Sequence, residues 1–558
     1  MNRLARFAAL SILVALVAAC APASPNTTSS SGQPASSVPK ILTLVGREGL
    51  IPDLPGQAGR TSLSGGGFVH DFLTERDASD RVVGRVAEAI SVDSGTWKLN
   101  PDGTMDTIWK LRTNVKWQDG TPFTADDLMF TFTAFKDPDL PSRYGQPLVL
   151  MTSAEALDSH TFVVHWSGPW ATANEAPALI PLPKHLLLDL YTNDKTNFGE
   201  TTRYHRDFIG LGAFRILNWE LGSHVEFERF DDYYLGRSPL DRIVIKFMSD
   251  PNAVVANLLA GSVDMVFHKD LIDTEGALEI KQRWQGTGNK VEFFPSNRLI
   301  SVEIQFKPEF ARPAHGWVNR DVRQAMMYAI DRVAINDAAT HGLSPLADGW
   351  VAPHHELASI AGPAAPKYPY DVNRARQLLV QAGWTATGGD GVLVHSATGE
   401  RFETDLWNRF ALQKEQTILA DYWKSVGVQA NVKQLPQRRD REFETTLNGG
   451  QTMDQTIYDY TYNGRIGTAD LATAANRYTG RNIGGYSNPR VDELLARLVV
   501  TIDPRESASI HRDIVREIFT DVALFPLYFQ ITPMLVREGI TGPEEGTTIN
   551  TWKWDKKS

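Results

Sequence analysis

The residue types that most often carry catalysis are present, but not at catalytic spacing. The single cysteine is Cys20, which excludes a disulfide framework and a cysteine-based zinc site. His354-His355-Glu356 is a tempting metal cluster. It lacks the HExxH spacing that puts two imidazoles on one helix face, and adjacent residues of an extended segment point to opposite sides. It reads as a surface loop after Pro353. Gly65-Gly66-Gly67 is accompanied by neither GxGxxG nor GK[ST], so it reads as a plain loop rather than a phosphate cradle. An activated nucleophile needs its base within hydrogen-bond reach, and neither GxSxG nor an SxxK with its partner motifs occurs. Asp126-Asp127 and Asp231-Asp232 read as helix-start and turn residues, not as an acid/base pair set across a cleft. A hydrolase is therefore disfavoured and no cofactor is expected.

Composition narrows the classes further. The 558 residues include 56 Lys plus Arg and 66 Asp plus Glu, a net charge of −10. An acidic chain does not offer the basic face that nucleic acid requires. The length exceeds what one core can organise, so two to four domains are expected.

The first residues read as an address and a tether. Arg3 and Arg6 precede a short apolar run, Phe7 to Ala19, which is too short to span a bilayer. It ends in Val17-Ala18-Ala19-Cys20. This resembles a bacterial lipobox, in which the cysteine is lipidated and becomes the mature N-terminus. Removal of residues 1–19 takes away two positive charges and no negative ones, moving the net charge from −10 to −12. Residues 20–39, rich in Ser, Thr, Pro and Ala, have nothing with which to build a core and read as a flexible tether. The expected location is the cell envelope, lipid-anchored outside the cytoplasm, on the outer face of the cytoplasmic membrane or in the periplasm.

From Lys40 onward helix and strand patterns mix, which argues for an α/β fold. Ile41 to Val45 reads as a strand. Trp109, Leu111, Thr113, Val115 and Trp117 alternate with Lys110, Arg112, Asn114 and Lys116, as the two faces of one strand would. Both tryptophans are expected in the core. Thr124 with Asp127 reads as a capping box. Asp250, Pro251 and Gly261 bracket a helix over Ala253–Ala260. Val322, Ala325, Met326, Ala329, Ile330 and Val333 form a helical stripe. Asp371 and Gly383 bracket another helix, further helices are expected at about 411–426, 488–500 and 505–519, and Leu524 to Val536 reads as strand.

Several segments together resemble the family 5 extracellular solute-binding proteins of ABC importers, the dipeptide- and oligopeptide-binding group. The first is Lys110-Leu-Arg-Thr-Asn-Val-Lys-Trp-Gln-Asp-Gly-Thr-Pro-Phe-Thr-Ala-Asp-Asp-Leu128. Gly210-Leu-Gly-Ala-Phe214, Tyr234-Leu-Gly236 and Leu259-Ala-Gly-Ser-Val-Asp264 follow. Asp321-Val-Arg-Gln-Ala325 with Ala329-Ile-Asp-Arg332, and Asn482-Ile-Gly-Gly-Tyr-Ser-Asn-Pro489 with Asp492, complete the set. They run in the family's order from about 40 to 535. The resemblance implies a two-lobed periplasmic-binding-protein-like fold with three domains. Domain I would take 40–78, 201–297 and 521–558, domain II 79–200 and domain III 298–520. Chain crossings near Pro295–Ile300 and Ala523–Tyr528 would form the hinge.

The resemblance also implies which segments face the ligand between the lobes. They are Gly46 to Leu50, with Glu48, then Leu406 to Phe410, with Trp407, Asn408 and Arg409, and finally Tyr458 to Arg465. In the last, Tyr458, Tyr460 and Tyr462 share one face of an extended segment, with Asp459 on the other. Aromatic faces stack on peptide planes, sugars or cations, and a tyrosine row equally covers a core edge. Arg465 could clamp an anion bidentately, and equally sits well as a solvated loop residue. Peptide binders of the family carry an Asp, often in a DP segment, for the ligand's ammonium group. No DP stands here, and Asp470 is the nearest candidate. Trp317, Trp350, Trp384 and Trp407 offer stacking surfaces of the kind used for oligosaccharides, and the family also includes nickel-chelate carriers.

The expected function is a monomeric, lipid-tethered, non-enzymatic receptor. It would capture a solute, a peptide first, then an oligosaccharide or metal chelate, and deliver it to an ABC permease and ATPase. A sensory or adhesive lipoprotein is the weaker alternative. Cys20→Ser is expected to abolish membrane attachment and leave the body folded, because residues 20–39 carry no apolar surface. Cell fractionation checks this, and a membrane-bound variant would contradict the lipid anchor.

Overall fold

The structure is a computed structural model. It describes residues 39–46, 68–140, 145–176, 179–200, 208–266, 271–387, 389–408, 412–436, 441–446, 450–457, 466–543 and 550–557. Strand β1 (Ile41–Gly46) is followed by the hairpin β2 (Thr74–Arg76) and β3 (Val82–Gly84). Strands β4 (Trp97–Leu99), β5 (Met105–Lys110), β6 (Met151–Asp158) and β7 (Thr161–Trp166) form an antiparallel sheet in the order β4-β5-β7-β6. Then come β8 (Phe214–Glu220), β9 (His224–Arg229), β10 (Arg242–Phe247), β11 (Met265–Val266) and the long β12 (Lys290–Glu303). After the small hairpin β13 (Trp384–Thr387) and β14 (Leu393–His395) follow β15 (Glu403–Asn408), β16 (Gln429–Gln434), β17 (Gly450–Ile457) and β18 (Leu524–Val536). Ten of these strands make one sheet in the order β16-β15-β17-β12-β18-β11-β1-β10-β9-β8.

The cores are separate. Trp109, Trp117, Phe162 and Trp166 fill one beneath the four-stranded sheet. Phe68, Phe214, Phe227 and Trp554 centre another beside β1 and β8–β10. Two more lie on the β12–β17 side, around Trp317, Trp384 and Trp423 and around Ile514, Phe519 and Phe529. Trp109 and Trp117 are fully buried, as their alternation implies. The strand carrying that alternation is shorter than expected. β5 ends at Lys110, Thr113 and Asn114 lie exposed in a turn, and Val115 and Trp117 return to the core beyond it.

Helix boundaries follow local chemistry. Asp127 Oδ2 accepts from Thr124 N at 3.0 Å and opens the helix Ala125–Lys136. Asp250 caps Pro251–Ala260, Asp371 caps Val372–Gln381, and Asp503 caps Pro504–Thr520. The stripe from Val322 to Val333 is two helices, Arg320–Tyr328 and Arg332–Thr340, because the Asp331 side chain accepts from Ala334 N and starts the chain afresh. Val333 consequently points outward, at 54% exposure. Arg323 is buried and donates to the carbonyls of Trp317 and Asp521 at 2.9 and 2.8 Å. Gly212 lets two backbones touch, since a Cβ there would lie 2.5 Å from the Val69 carbonyl carbon.

One buried polar network joins the β9–β10 connection to the residues flanking the β2–β3 hairpin. Arg85 Nη2 meets Asp71 Oδ1 at 2.9 Å, and the hydroxyls of Tyr233 and Tyr234 donate to Asp71 Oδ2 at 2.6 and 2.8 Å. Beside it, His70 is buried and accepts from Leu211 N at 3.3 Å, and burial pushes its pKa down from 6.5 to about 4. Burial lowers His511 to about 4 as well. The unfolded chain takes up these protons first as pH falls. The stabilisation is therefore whole above pH 6.5 and is lost progressively towards pH 4. For His70 the loss is about 3 kcal/mol. Urea unfolding between pH 7.5 and pH 4.5 checks this: His70→Gln should show a shallower decline than the parent, and an equal slope would contradict it.

Candidate functional site

β12 and β18 are the longest strands, 14 and 13 residues. They pair antiparallel from Lys290↔Val536 to Glu303↔Leu524. At one end β18 continues to β11, and at the other β12 continues to β17. This pair therefore joins the two halves of the large sheet. Its register breaks between Pro295↔Ile531 and Leu299↔Phe529, so Ser296, Asn297 and Arg298 bulge against Gln530 alone. The break faces Gln530, two residues beyond the second expected crossing. Ser296 Oγ ties the bulge down by donating to Gln530 O at 2.9 Å.

The bulge leaves polar groups unsatisfied. Asn297 Oδ1 and Gln530 Oε1 are buried acceptors with no donor among the described residues. The half-buried Arg298 makes no side-chain ion pair or hydrogen bond among them. Arg298 stands opposite Ile457, the last residue of β17. An unpaired buried acceptor or cation costs free energy that a ligand donor or anion can return. Sequence patterning missed these three residues. The signal was present only as an Asn-Arg pair inside a strand of mixed polar and apolar residues, and its meaning depends on a pairing partner more than 200 residues away.

Of the residues singled out by resemblance, Glu48, Arg409, Tyr458, Tyr460, Tyr462 and Arg465 lie outside the described residues, as does Cys20. Trp407 is on β15, which pairs with β17, and it is half-buried. Lys433 Nζ sits 5.3 Å from its ring centroid while also pairing with Asp405 at 2.7 Å. Trp407 Nε1 is buried without an acceptor among the described residues. Asn408 is fully buried, and its Oδ1 accepts from Leu412 N at 3.4 Å while its carbonyl accepts from Gln434 Nε2 at 2.9 Å. That ties Asn408 to its own loop. Asp470 Oδ2 pairs with Arg481 Nε at 2.7 Å. Trp317 and Trp384 are fully buried core residues, and Trp350 packs edge-on against Phe519.

His354-His355-Glu356 is docked rather than free on the surface. His355 Nδ1 accepts from Leu357 N at 3.0 Å, which leaves Nε2 to donate to Asp80 Oδ2 at 3.2 Å. Among the described residues no group of three His, Cys, Asp or Glu side chains is arranged to hold a metal. The Asn482 motif is structural. Asn482 is buried and makes four hydrogen bonds, from Nδ2 to the carbonyls of Gly467 and Tyr486 and at Oδ1 from the amides of Gly485 and Tyr486.

Unspent and spent polar residues should differ in stability measurements. Arg298→Ala is expected to change unfolding free energy by less than about 0.5 kcal/mol, since it loses no partner. Asn482→Ala is expected to lose about 2–4 kcal/mol, because it leaves buried backbone groups unpaired. Urea unfolding of both variants checks this, and a large loss at Arg298 would make that residue structural.

Residues 91–470 match the family model of bacterial extracellular solute-binding proteins, family 5 Middle. The chain is 25% identical over 488 residues to the oligopeptide-binding protein AppA of Bacillus subtilis, covering 85% of this chain and 83% of AppA. The structure of AppA from Bacillus subtilis in complex with a nonapeptide superposes with a TM-score of 0.67 at 22% identity, over 93% of this chain and 100% of that one. NikA from Brucella suis in complex with Fe(III)-EDTA superposes with a TM-score of 0.75 at 17% identity, over 93% and 100% of the two chains. The fold is accordingly the two-lobed periplasmic-binding one, with β12 and β18 shared by its halves. The polar bulge between them belongs to a protein that binds solutes rather than transforming them. The chain is a member of the bacterial extracellular solute-binding proteins, family 5.

Proposed function

We propose that this protein is a lipid-tethered receptor that encloses a peptide between its lobes and passes it to an ABC permease and ATPase. The observation that carries this reading is the bulged β12·β18 crossing, where Asn297, Arg298 and Gln530 present unspent polar groups. A peptide offers backbone N–H groups to the two amide oxygens and a terminal carboxylate to Arg298. The relatives support the cargo class through AppA. The lobes follow the division into 40–78 with 79–200, 201–297 and 521–558 on one side and 298–520 on the other. The separate cores on the two sides of the crossing support it, except that the stretch from Val522 to Phe529 packs into the cores of 298–520. Lys40 and the body that follows would hang from Cys20 by residues 20–39, and the protein would work as a monomer. In this reading Trp407, Glu48 and the Tyr458–Arg465 segment also contribute to gripping the solute. Asn408 and Asp470 act behind these residues, consistent with their internal bonds.

An anionic metal chelate is the second reading. Arg298 as an unpaired cation favours it, and NikA was solved with one.

A thermal-shift screen separates the two, because a ligand that binds only the folded state raises the melting temperature by mass action. Peptides of three to nine residues, Fe(III)-EDTA, a nickel–histidine complex and maltooligosaccharides form the panel. A rise with peptides is expected, and calorimetry with the best peptide should show Arg298→Gln weakening binding by about 1.5–3 kcal/mol. A rise with chelates alone would transfer the cargo to the second reading. Peptide binding untouched by Arg298→Gln would move the site away from the crossing.

A further inference from the structure

Away from the bulge of the β12·β18 crossing, two of the cores meet along a seam. One side is formed by the four-stranded sheet, the β2–β3 hairpin and residues 170–175. The other is formed by residues 356–360 and the helices Pro489–Leu498 and Pro504–Thr520. Two backbone hydrogen bonds cross it, Ala171 N to Val499 O and Glu356 N to Ser79 O, both 2.9 Å. The His355–Asp80 pair crosses it too, and Ile502 packs against the core that holds Trp109. Between these contacts the seam does not close. A cavity of about 480 Å³ remains, a size that suits a small organic molecule.

The cavity is mostly apolar. Trp97, Trp170, Leu357, Ile360, Leu498 and Ile502 line it. Its charged groups are nearly all engaged. Arg76 holds Glu175 at 2.7 Å, and Arg481 holds Asp470 at 2.7 Å. Glu356 stands close to His355, Arg76, Asp80 and Arg81, and burial pushes its carboxyl pKa up, towards the neutral form. His511 is buried and neutral at pH 7, its pKa pushed down to about 4. Arg505 differs: in the first turn of Pro504–Thr520, its guanidinium makes no ion pair among the described residues. Trp170 Nε1 is a buried donor with no acceptor among them.

We infer that this seam cavity is a second ligand site, taking a molecule with an apolar body and one anionic group. The tryptophan and aliphatic walls take the body, since burying it removes apolar surface from water on both sides. Arg505 takes the anion through a charge-assisted hydrogen bond. An uncharged analogue forfeits the charge-assisted bond, and a cationic one meets Arg505 as a like charge. Neither Arg298 nor Trp407 lines the cavity, so the site uses none of the bulge residues assigned to the solute, although it lies between the same two proposed lobes.

Titration of the purified, delipidated protein with decanoate, decanol and decylamine tests this, read by calorimetry and tryptophan fluorescence. One decanoate per chain is expected, bound at least tenfold more tightly than decylamine. Ile360→Trp, which fills the cavity from a side chain 42% exposed, should weaken decanoate at least tenfold. Arg505→Gln should bring decanoate down to the affinity of decanol and leave decanol unchanged. If Ile360→Trp melts early, Arg505→Gln, an exposed substitution, decides alone. No saturable decanoate binding, equal binding of decylamine, or indifference of decanoate to Arg505→Gln would overturn the site.

Discussion

The pairing of β12 with β18 is the constraint on which the rest of the structure depends. Two strands distant in the chain must find each other, and their pair must serve as the seam of a ten-stranded sheet. Beyond one end of it lie β11, β1 and β10–β8, and beyond the other lie β17, β15 and β16. A perfect ladder would fuse these halves into one stiff plate. The bulge at Ser296–Arg298 interrupts the ladder, and a hinge placed there would bend while the two strands together restrain free rotation. The same interruption frees side chains from ladder geometry. In the proposed reading, the place where the sheet is interrupted is also the place where the solute is held.

Several conspicuous polar side chains elsewhere are consumed by the fold. Arg85, buried against Asp71 and two tyrosine hydroxyls, is a structural ion pair. Arg323 is consumed by carbonyls, Asn482 by four bonds of its own loop, and Asp470 by Arg481. Lys433 covers one approach to Trp407 and is itself held by Asp405. Arg298, Asn297 Oδ1 and Gln530 Oε1 have no such partner among the described residues, and the bulge sets them beside one another.

What was legible in the sequence was local. The caps at Thr124, Asp250 and Asp371 lie beside the helices they start, and the limits of β18 match its apolar run. The family could be read because its motifs mark turns and caps, such as Asn482 and Asn488, whose bonds are short in sequence. What depended on distant partners was not legible. The exposed turn at Thr113-Asn114 interrupts an alternation that continues in burial on both sides. The break at Ile330-Asp331 is invisible in a stripe of apolar residues that continues past it. His355 reads as a loop residue until Asp80 is brought against it. The bulge needs two strands to exist at all. Of the residues singled out for the ligand, Trp407 could be placed beside the crossing through β17, while Asn408 and Asp470 have internal partners that no spacing rule reveals.

Closure about this crossing can be measured as a distance. With Cys20→Ser the chain has no native cysteine, so nitroxide labels at Asp93→Cys and Ser359→Cys, both exposed, report one separation across the seam by double electron–electron resonance. A further pair within one lobe serves as the internal reference. The account predicts a broad or longer separation without peptide that collapses to one shorter distance at saturation, while the reference stays fixed. An unchanged distribution across the seam, or an equal change within the lobe, would contradict bending at the β12·β18 crossing.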